Sequence, residues 1–496
     1  MLRWMRPAET LSDSEVDRGL RMLLRDAMAS QTMIVLTVGP FMMAFAVLLG
    51  ASNVVLGLIG AIGPLSQILQ LPAVFLVERV KLRKMLTLGA AFISRLAWIV
   101  IASMPLWTPP PYRIPVFMGS LLLFFGMNAV ASCAFSSWTR DLIPDTVLNT
   151  FFGKRMMWAT IFGATVSLIG AFGIDALGDA LESQLHAYGV VFSIGALAGF
   201  VGLFFLGHVP EPRMHRPTEH HAIKVLSEPL RDANFRALTV FLATWSFAMN
   251  LCGPFFAAYM LRRQGLSITW ILAFSVLSQL MNILFFPVWG QLAQRFSNKS
   301  VLVVAAPVFV LSLLLWPLTS LNSLWVTVVV MTLFHVLAGI TGAGIALAAN
   351  NLTYKTAPKG KATPYMALNV LAQGAASTIA PIIAGVLADR LEYWNIVLSV
   401  QSVYKGGDAP VAFGPPPLEL HGLDFLFILA FIFGLYALHR LLAVREEGEA
   451  PEEEVRAEFL AEVERRMRQV STLPSIRIFT NVAIASLGRV LGRKEA

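Results

Sequence analysis

Charged side chains are scarce in this sequence. Only 14% of its 496 residues are Asp, Glu, Lys or Arg, whereas 56% are hydrophobic. A soluble chain of this length does not carry so few charges for so much apolar mass. The composition therefore excludes a soluble globular protein and indicates one that lies mostly in lipid.

Cysteine is nearly absent, and so are the motifs of most enzymes. Cys133 and Cys252 fall inside apolar runs of different halves of the chain, so we expect packed thiols rather than a disulfide. The first 30 residues have no apolar core of a cleavable signal peptide. The chain has no glycine-rich phosphate loop, no metal-ligand spacing and no nucleophile triad. We therefore expect no enzymatic activity, no catalytic residue, no metal and no cofactor.

Long apolar runs are what the chain has in abundance. Runs of about 18 or more apolar residues predict membrane-spanning helices, and they are far too long for barrel strands. We count twelve spans in an all-α polytopic fold. The first half contains Thr32–Leu49, Val54–Val77, Met85–Trp107, Ile114–Trp138, Met156–Leu177 and Val190–Leu206. The second half contains Leu238–Met260, Ser267–Trp289, Val301–Leu318, Ser323–Asn350, Tyr365–Ala388 and Leu423–Ala443.

Basic residues in the short loops predict the orientation. The loops on the side of the amino terminus carry twelve bases, and the opposite loops carry five. An excess of Lys and Arg marks cytoplasmic loops, so we expect both termini in the cytoplasm. The same distribution explains the net charge of +8 without nucleic-acid binding.

The two halves repeat each other weakly. Gln67-Ile68-Leu69 matches Asn282-Ile283-Leu284 at an offset of 215 residues, and Asp175 matches Asp389 at 214. Because each half has an even number of spans, the repeats are parallel, as in the halves of major facilitator transporters.

Two basic turns make the resemblance specific. Leu71–Lys84 follows the second span and Phe286–Lys299 follows the eighth. Both resemble Gly-x-Leu-Ala-Asp-Arg-x-Gly-Arg-Arg, the signature loop of the major facilitator superfamily. The first copy has Glu78 at the acidic position, and the second has Gln294 there. The resemblance extends over roughly residues 30–445.

The resemblance implies a transporter of the inner membrane, in which the signature loops latch the two halves together on the cytoplasmic side. We expect this transporter to be a monomer. Carried over by position, the predicted gating residues are Glu78, Arg79, Arg83 and Arg295, joined by Arg140 and Asp141 of the next loop. Gly385–Arg390, Gly-Val-Leu-Ala-Asp-Arg, also matches the signature but falls at the periplasmic end of the eleventh span. We interpret that match as a coincidence.

The predicted domains follow these patterns. We expect an amphipathic cytoplasmic arm at 1–30, a first bundle at 31–208, a cytoplasmic linker at 209–236 and a second bundle at 237–444. The second bundle contains a long periplasmic loop at 390–422, and a charged amphipathic tail follows at 445–496. The loop is either a lid or an inert insertion. In the tail, Ile476–Leu491 reads as a helix on the membrane surface.

Arg95 is the most unusual residue within a span. It lies ten residues into Met85–Trp107, near mid-membrane, and no acidic residue is expected at its depth in the first half. A charge there is costly unless it faces a partner or a wet cavity, so Arg95 is either an anion site or a structural residue. The helices that line the cavity in the family suggest four further candidates for substrate contact: Asn128, Trp245, Asn250 and His335.

These features predict a secondary transporter that moves a small organic solute, with an anion as one option, by alternating access. A multidrug or lipid efflux protein and a transporter-like scaffold acting through its tail are the alternatives. A coupling proton or ion is left open, because His335 is the one titratable side chain we place at depth besides Arg95.

Overall fold

The computed structural model describes residues 7–9, 11–144, 147–213, 229–319, 324–357, 362–399, 402–404, 411–413, 417–446 and 449–470. The side chain of Glu78, the middle of the linker and the proposed surface helix Ile476–Leu491 lie outside the described residues.

The first half folds into six helical spans. The first span is two helices, Asp13–Thr37 and Pro40–Leu48, and the second is Asn53–Ser66, a 3-10 turn at Gln67–Leu69, and Gln70–Val80. The third to sixth spans are Arg83–Trp107, Pro110–Leu142, Leu148–Ala180 and Gln184–Gly207.

The second half repeats this layout. Its seventh span is Ala233–Cys252 followed by Phe255–Arg262, its eighth is Ile268–Arg295, and its ninth is Asn298–Ser312 with Leu315–Leu318. The tenth to twelfth spans are Leu324–Thr356, Ala362–Leu391 and Asp424–Leu441. A further helix, Glu452–Val470, follows them and is called the tail helix below.

The twelve-helix layout in two repeats agrees with the sequence prediction. Within the described residues, 11 helices are long and apolar enough to cross a membrane. The second span is not in that number; its first part, Asn53–Leu69, which includes the 3-10 turn at Gln67–Leu69, is a shorter apolar helix. Its helical path nevertheless continues to Val80.

The amino-terminal arm is part of the first span. A capping box, in which the Ser12 and Glu15 side chains satisfy each other's backbone N–H groups, begins the helix. From there the helix runs without a break to Thr37 and buries Leu23 and Asp26. The helix therefore crosses the domain boundary expected at residue 30.

Gly-Pro pairs break the first and seventh spans at matching positions. Gly39-Pro40 and Gly253-Pro254 are 214 residues apart and separate the two helices of each span. Proline removes a backbone donor and disfavours helical geometry in the preceding residue. Gly39 also has a φ of 70°, which other residues rarely adopt.

The cores show where the halves meet. We use terminal end for the end of the bundle with Arg83, Glu211 and Glu446, and far end for the opposite one. The largest core cluster joins side chains of both halves, including Phe45 of the first span and Tyr259 of the seventh.

The long loop forms a hairpin at the far end. Strand β1, Asn395–Leu398, pairs antiparallel with β4, Leu418–His421, and β2, Ser402–Tyr404, pairs with β3, Val411–Phe413. All four residues of β1 are exposed.

Candidate functional site: an inter-half cavity and its two ends

An aspartate of the second half caps a helix of the first half at the far end. The Asp389 carboxylate accepts hydrogen bonds from the backbone N–H groups of Asn53, at 3.0 Å, and Val54, at 3.1 Å. These are the first residues of the second span, where backbone donors lack partners and a negative charge is favoured. This cap joins the halves by a charged contact at the far end.

Close backbone packing accompanies the cap. A Cβ added at Gly57 would lie 2.1 Å from the Pro381 carbonyl oxygen, and one at Gly385 would lie 2.5 Å from the Asn53 carbonyl oxygen. Gly385 and Asp389 are the glycine and acid of the Gly385–Arg390 match that the sequence analysis treated as a coincidence. The sequence analysis gave these residues no role, whereas in the structure they form a far-end contact between the halves.

Two more contacts join the halves there. The Arg262 side chain donates to Asn53 Oδ1 at 2.9 Å and also to the Ala51 carbonyl oxygen. Thr269 Oγ1 donates to Asp175 Oδ2 at 2.5 Å. Asp175 and Asp389 therefore bridge the halves at equivalent positions of the repeat.

At the terminal end, each ion pair described for the signature loops joins two residues of the same half. Arg83 is fully buried and bonds Asp141 Oδ2 at 2.5 Å. Its guanidinium also donates to the carbonyl oxygens of Ser137, at 3.0 Å, and Pro212, at 2.7 Å. Of the predicted gating residues, the structure thus brings Arg83 and Asp141 together.

The remaining gating residues are placed differently. Arg295 pairs with Glu458 of the tail helix at 2.7 Å. Arg79 and Arg140 are exposed on the first half.

Each half has a glutamate that the sequence analysis missed. Glu211 Oε1 accepts from the Arg83 N–H at 2.7 Å, and Glu446 Oε2 accepts from the Lys299 N–H at 2.7 Å. Glu211 follows the sixth span and caps the start of the third. Glu446 follows the twelfth span and caps the start of the ninth. Burial raises the pKa of Glu211 above its ordinary value, although its bonds to backbone N–H groups and the nearby Arg83 act in the opposite direction. The sequence signal that could have predicted these caps is the presence of a glutamate shortly after both the sixth and the twelfth span.

Arg95 faces the interior of the first half. It is 6% exposed, and Nη1 donates to the Ala91 carbonyl oxygen at 3.2 Å and Ser94 Oγ at 3.4 Å. The space beside its side chain is bounded by Gly199 of the sixth span, whose added Cβ would lie 3.0 Å from Arg95 Cγ.

An acidic residue lies near Arg95. Asp26 of the first span is 4% exposed, accepts from Ser30 Oγ at 3.0 Å and acts electrostatically on Arg95. The expectation that the first half has no acid at this depth is wrong. It failed because residues 13–37 were divided between a surface arm and a span.

A polar seam runs between the seventh and eleventh spans. Three hydrogen bonds cross it: Thr239 Oγ1 to Asn369 Oδ1 at 2.7 Å, Ser246 Oγ to Gln373 Oε1 at 3.3 Å, and Asn250 Nδ2 to Ser377 Oγ at 3.1 Å. Asn369 is buried, whereas Asn250 and Gln373 are only half-buried. The predicted residue Asn250 therefore belongs to a row of neutral polar groups with spare hydrogen-bonding capacity.

The other predicted contact residues have mainly apolar surroundings. His335 is buried, bonds the Met331 carbonyl oxygen through Nδ1 at 2.7 Å and stacks on Phe274 at 5.1 Å. Trp245 is half-buried and packs on Phe309 at 5.9 Å. Asn128 is half-buried on the fourth span. The structure does not bring these three residues into one cluster with Arg95.

A polar cleft lies where the fifth span faces the eighth and tenth. Its volume is about 380 Å³. The lining comes from both halves and consists, apart from Ile283, of small and polar residues, namely Thr160, Ser278, Gln279, Asn282, Ala338 and Gly339. No group of three or more metal-ligating side chains occurs within the described ranges.

Comparisons with known proteins identify the architecture. The sequence model of the Major Facilitator Superfamily matches residues 27–381 and 280–488. No curated protein matches the chain by sequence.

Solved structures with the same fold are distant in sequence. A variant of the nucleoside transporter NupG has a TM-score of 0.64 at 11% identity, covering 87% of this chain and 100% of its own. A bacterial homologue of the human lysosomal transporter Spinster, inward-facing and unoccupied, has a TM-score of 0.59 at 14% identity, covering 87% and 98%. A D-xylose-proton symporter has a TM-score of 0.59 at 16% identity, covering 88% and 98%. At these identities the similarity defines the fold alone.

Proposed function

We propose that this chain, which belongs to the Major Facilitator Superfamily, is a secondary transporter that moves a small organic solute by alternating access. The observation that carries the proposal is the asymmetry between the two ends of the bundle. At the far end, Asp389, Arg262 and Thr269 each bond across the halves. At the terminal end, the buried Arg83 and the exposed Arg295 pair within their own halves. Among the described residues, polar contacts thus join the halves at the far end, whereas these ion pairs at the terminal end lie within each half, as in a transporter that is closed at one end.

The basic loops suggest the orientation of this state. If the terminal end is cytoplasmic, as the excess of Lys and Arg predicts, the structure corresponds to a transporter open to the cytoplasm in the inner membrane. The next state would require the far-end contacts to break while new contacts form at the terminal end.

The surroundings of Arg95 favour an uncharged polar or amphipathic solute over an anion. Arg95 is directed into the first bundle beside Asp26 and the sixth span. The polar side chains of the seam and of the cleft are neutral: Asn250 and Gln373 between the seventh and eleventh spans, and Asn282 and Thr160 in the cleft between the halves. We assign solute contact first to Asn250, with Asn128, Trp245 and His335 as further candidates. For a coupling proton, Asp26 and His335 are the candidate groups.

Thermal stabilisation of the purified protein tests the assignment. A solute that binds only the folded state raises its melting temperature by mass action. The panel contains nucleosides, sugars, uncharged amphiphiles and matched anions. We expect a neutral member to stabilise the parent and Asn250→Ala to lose most of that shift. If only anions stabilise the parent and their effect disappears in Arg95→Gln, the assignment is refuted and Arg95 is the anion site.

Asn350→Ala is the matched control. Asn350 bonds the carbonyl oxygen of Ala346 at 2.9 Å, as Asn250 bonds that of Ser246 at 2.8 Å, but it is exposed near the end of the tenth span. Both variants lose the same local bond, so only Asn250→Ala should change the solute response.

A further inference from the structure

The tail helix docks on the terminal end of the second half. Phe459 stacks on Trp289 of the eighth span, with ring centroids 4.4 Å apart and an interplanar angle of 16°. Val455, one helical turn earlier, is fully buried. Two apolar side chains four residues apart thus anchor one face of the helix to the bundle.

Charged contacts surround this anchor. Glu458 pairs with Arg295, at the end of the eighth span, at 2.7 Å. The segment before the tail helix also binds the second signature loop: Glu449 pairs with Lys299 at 2.9 Å, and Glu446 pairs with Lys355 at 3.1 Å. Acidic side chains of the tail therefore engage the bases at the ends of the eighth, ninth and tenth spans.

The docking site reaches the interior of the bundle. Trp289 Nε1 donates to the Ile340 carbonyl oxygen of the tenth span at 2.8 Å. An added Cβ at Gly344 of the same span would lie 2.8 Å from the Trp289 ring. Phe459, Trp289 and the tenth span are therefore packed in sequence, so that the tail helix contacts, through Trp289, a span that borders the polar cleft.

We propose that the tail helix is an intramolecular brake, which stabilises the state open at the terminal end by holding Arg295 and Trp289 within the second half. Closing the terminal end requires the ends of the two halves to approach, and Arg295 lies at that rim. In the present state Arg295 pairs with Glu458, and the brake requires this pair to break when the terminal end closes. The inference rests on the proposed function, since it requires two access states.

Distance measurement by single-molecule fluorescence tests the brake in the full-length protein in bilayers. Cys133 and Cys252 are first replaced by serine, and dyes are attached at Lys81→Cys and Tyr354→Cys. Both positions are exposed at the terminal end, one in each half. We expect the parent to favour the long distance. Phe459→Ala should shift the ratio of long to short distances by roughly tenfold, equivalent to about 1.4 kcal/mol.

A second pair of variants addresses the charged contact. Glu458→Gln should shift the ratio in the same direction by a smaller factor, because an exposed ion pair is screened by water. In a double-mutant cycle, Arg295→Gln with Glu458→Gln should shift less than the sum of the single changes, as for side chains that interact directly. Glu453→Gln is the matched control, since Glu453 is exposed on the same helix, and it should leave the ratio unchanged.

The outcomes separate the two proposals. If two distance populations are present and their ratio is the same in the parent, in Phe459→Ala, in Glu458→Gln and after removal of residues 451–496, the brake is refuted but alternating access is not. A single population in every variant, with and without solute, would contradict alternating access and the brake together.

Discussion

Replacing Asp389 with asparagine isolates the electrostatic part of the far-end contact. The carboxylate caps the second span across the halves through two backbone N–H groups, those of Asn53 and Val54. Asparagine has one carbonyl oxygen and no charge, so it keeps at most part of this cap. The change is nearly isosteric, which leaves the packing of Gly385 against Asn53 in place.

The expected magnitude follows from the contacts that are lost. A hydrogen bond to a charged group contributes about 1.5–3 kcal/mol, and a charge at a helix start about 0.3–1 kcal/mol. Because asparagine is itself a good cap, we expect a net loss of about 1–2 kcal/mol. That shifts the equilibrium towards the far-end-open state by roughly 5–30-fold.

Maleimide labelling of Ala384→Cys measures this shift. Ala384 is fully buried within the core that joins the halves, so its thiol reacts only when the far end opens. The labelling rate in a background without native cysteines should rise by the same roughly 5–30-fold factor. Asp179→Asn, which removes an exposed carboxylate of the first half at the same end, is the control. An unchanged rate in a folded Asp389→Asn protein would refute the reasoning.

Three further predictions use the same structure. Asp26→Asn should destabilise the protein by about 0.5–3 kcal/mol because it removes the carboxylate that acts electrostatically on the buried Arg95, and Asp26→Asn with Arg95→Gln should recover part of the loss in thermal unfolding; equal instability of the single and double variants would contradict the interaction. Gly57→Ala should raise labelling of Ala384→Cys, since its methyl group would meet the Pro381 carbonyl oxygen at 2.1 Å, while Gly89→Ala, with open space around it, should have no effect. Glu446→Gln should destabilise the terminal end of the second half and speed proteolysis of the chain near residue 451, because the variant weakens the cap of the ninth span and the ion pair with Lys355. An unaltered digestion pattern would contradict this prediction.

The sequence predicted the helical framework because membrane spans are encoded locally. The length of each apolar run predicted a helix, and matches at nearly one offset, such as that of Asp175 with Asp389, indicated the repeat of the two halves. The breaks at Gly39-Pro40 and Gly253-Pro254 were also readable from local chemistry, but they were missed because each span was treated as one apolar run.

The candidate site was predicted less well because it depends on contacts between distant segments. Arg95 was singled out because a charge within an apolar run is a local signal, yet its surroundings depend on Asp26, 69 residues earlier. The capping role of Glu211 likewise depends on the path of the chain after the sixth span, and that of Asp389 on contact with the other half. Asn250 was predicted as a contact residue because a polar side chain within an apolar run is a local signal, and that role stays a prediction. Its hydrogen bond to Ser377 could not be predicted from the sequence.

The most direct test of the central claim follows both ends of the bundle at once. In bilayers, one pair of dyes at Lys81→Cys and Tyr354→Cys reports on the terminal end, and a second pair at Leu181→Cys and Trp325→Cys, both exposed, reports on the far end. A stabilising solute should couple the two distances in opposite directions, so that molecules with a shorter terminal distance have a longer far distance. Distances that stay fixed, or that lengthen and shorten together, would contradict alternating access.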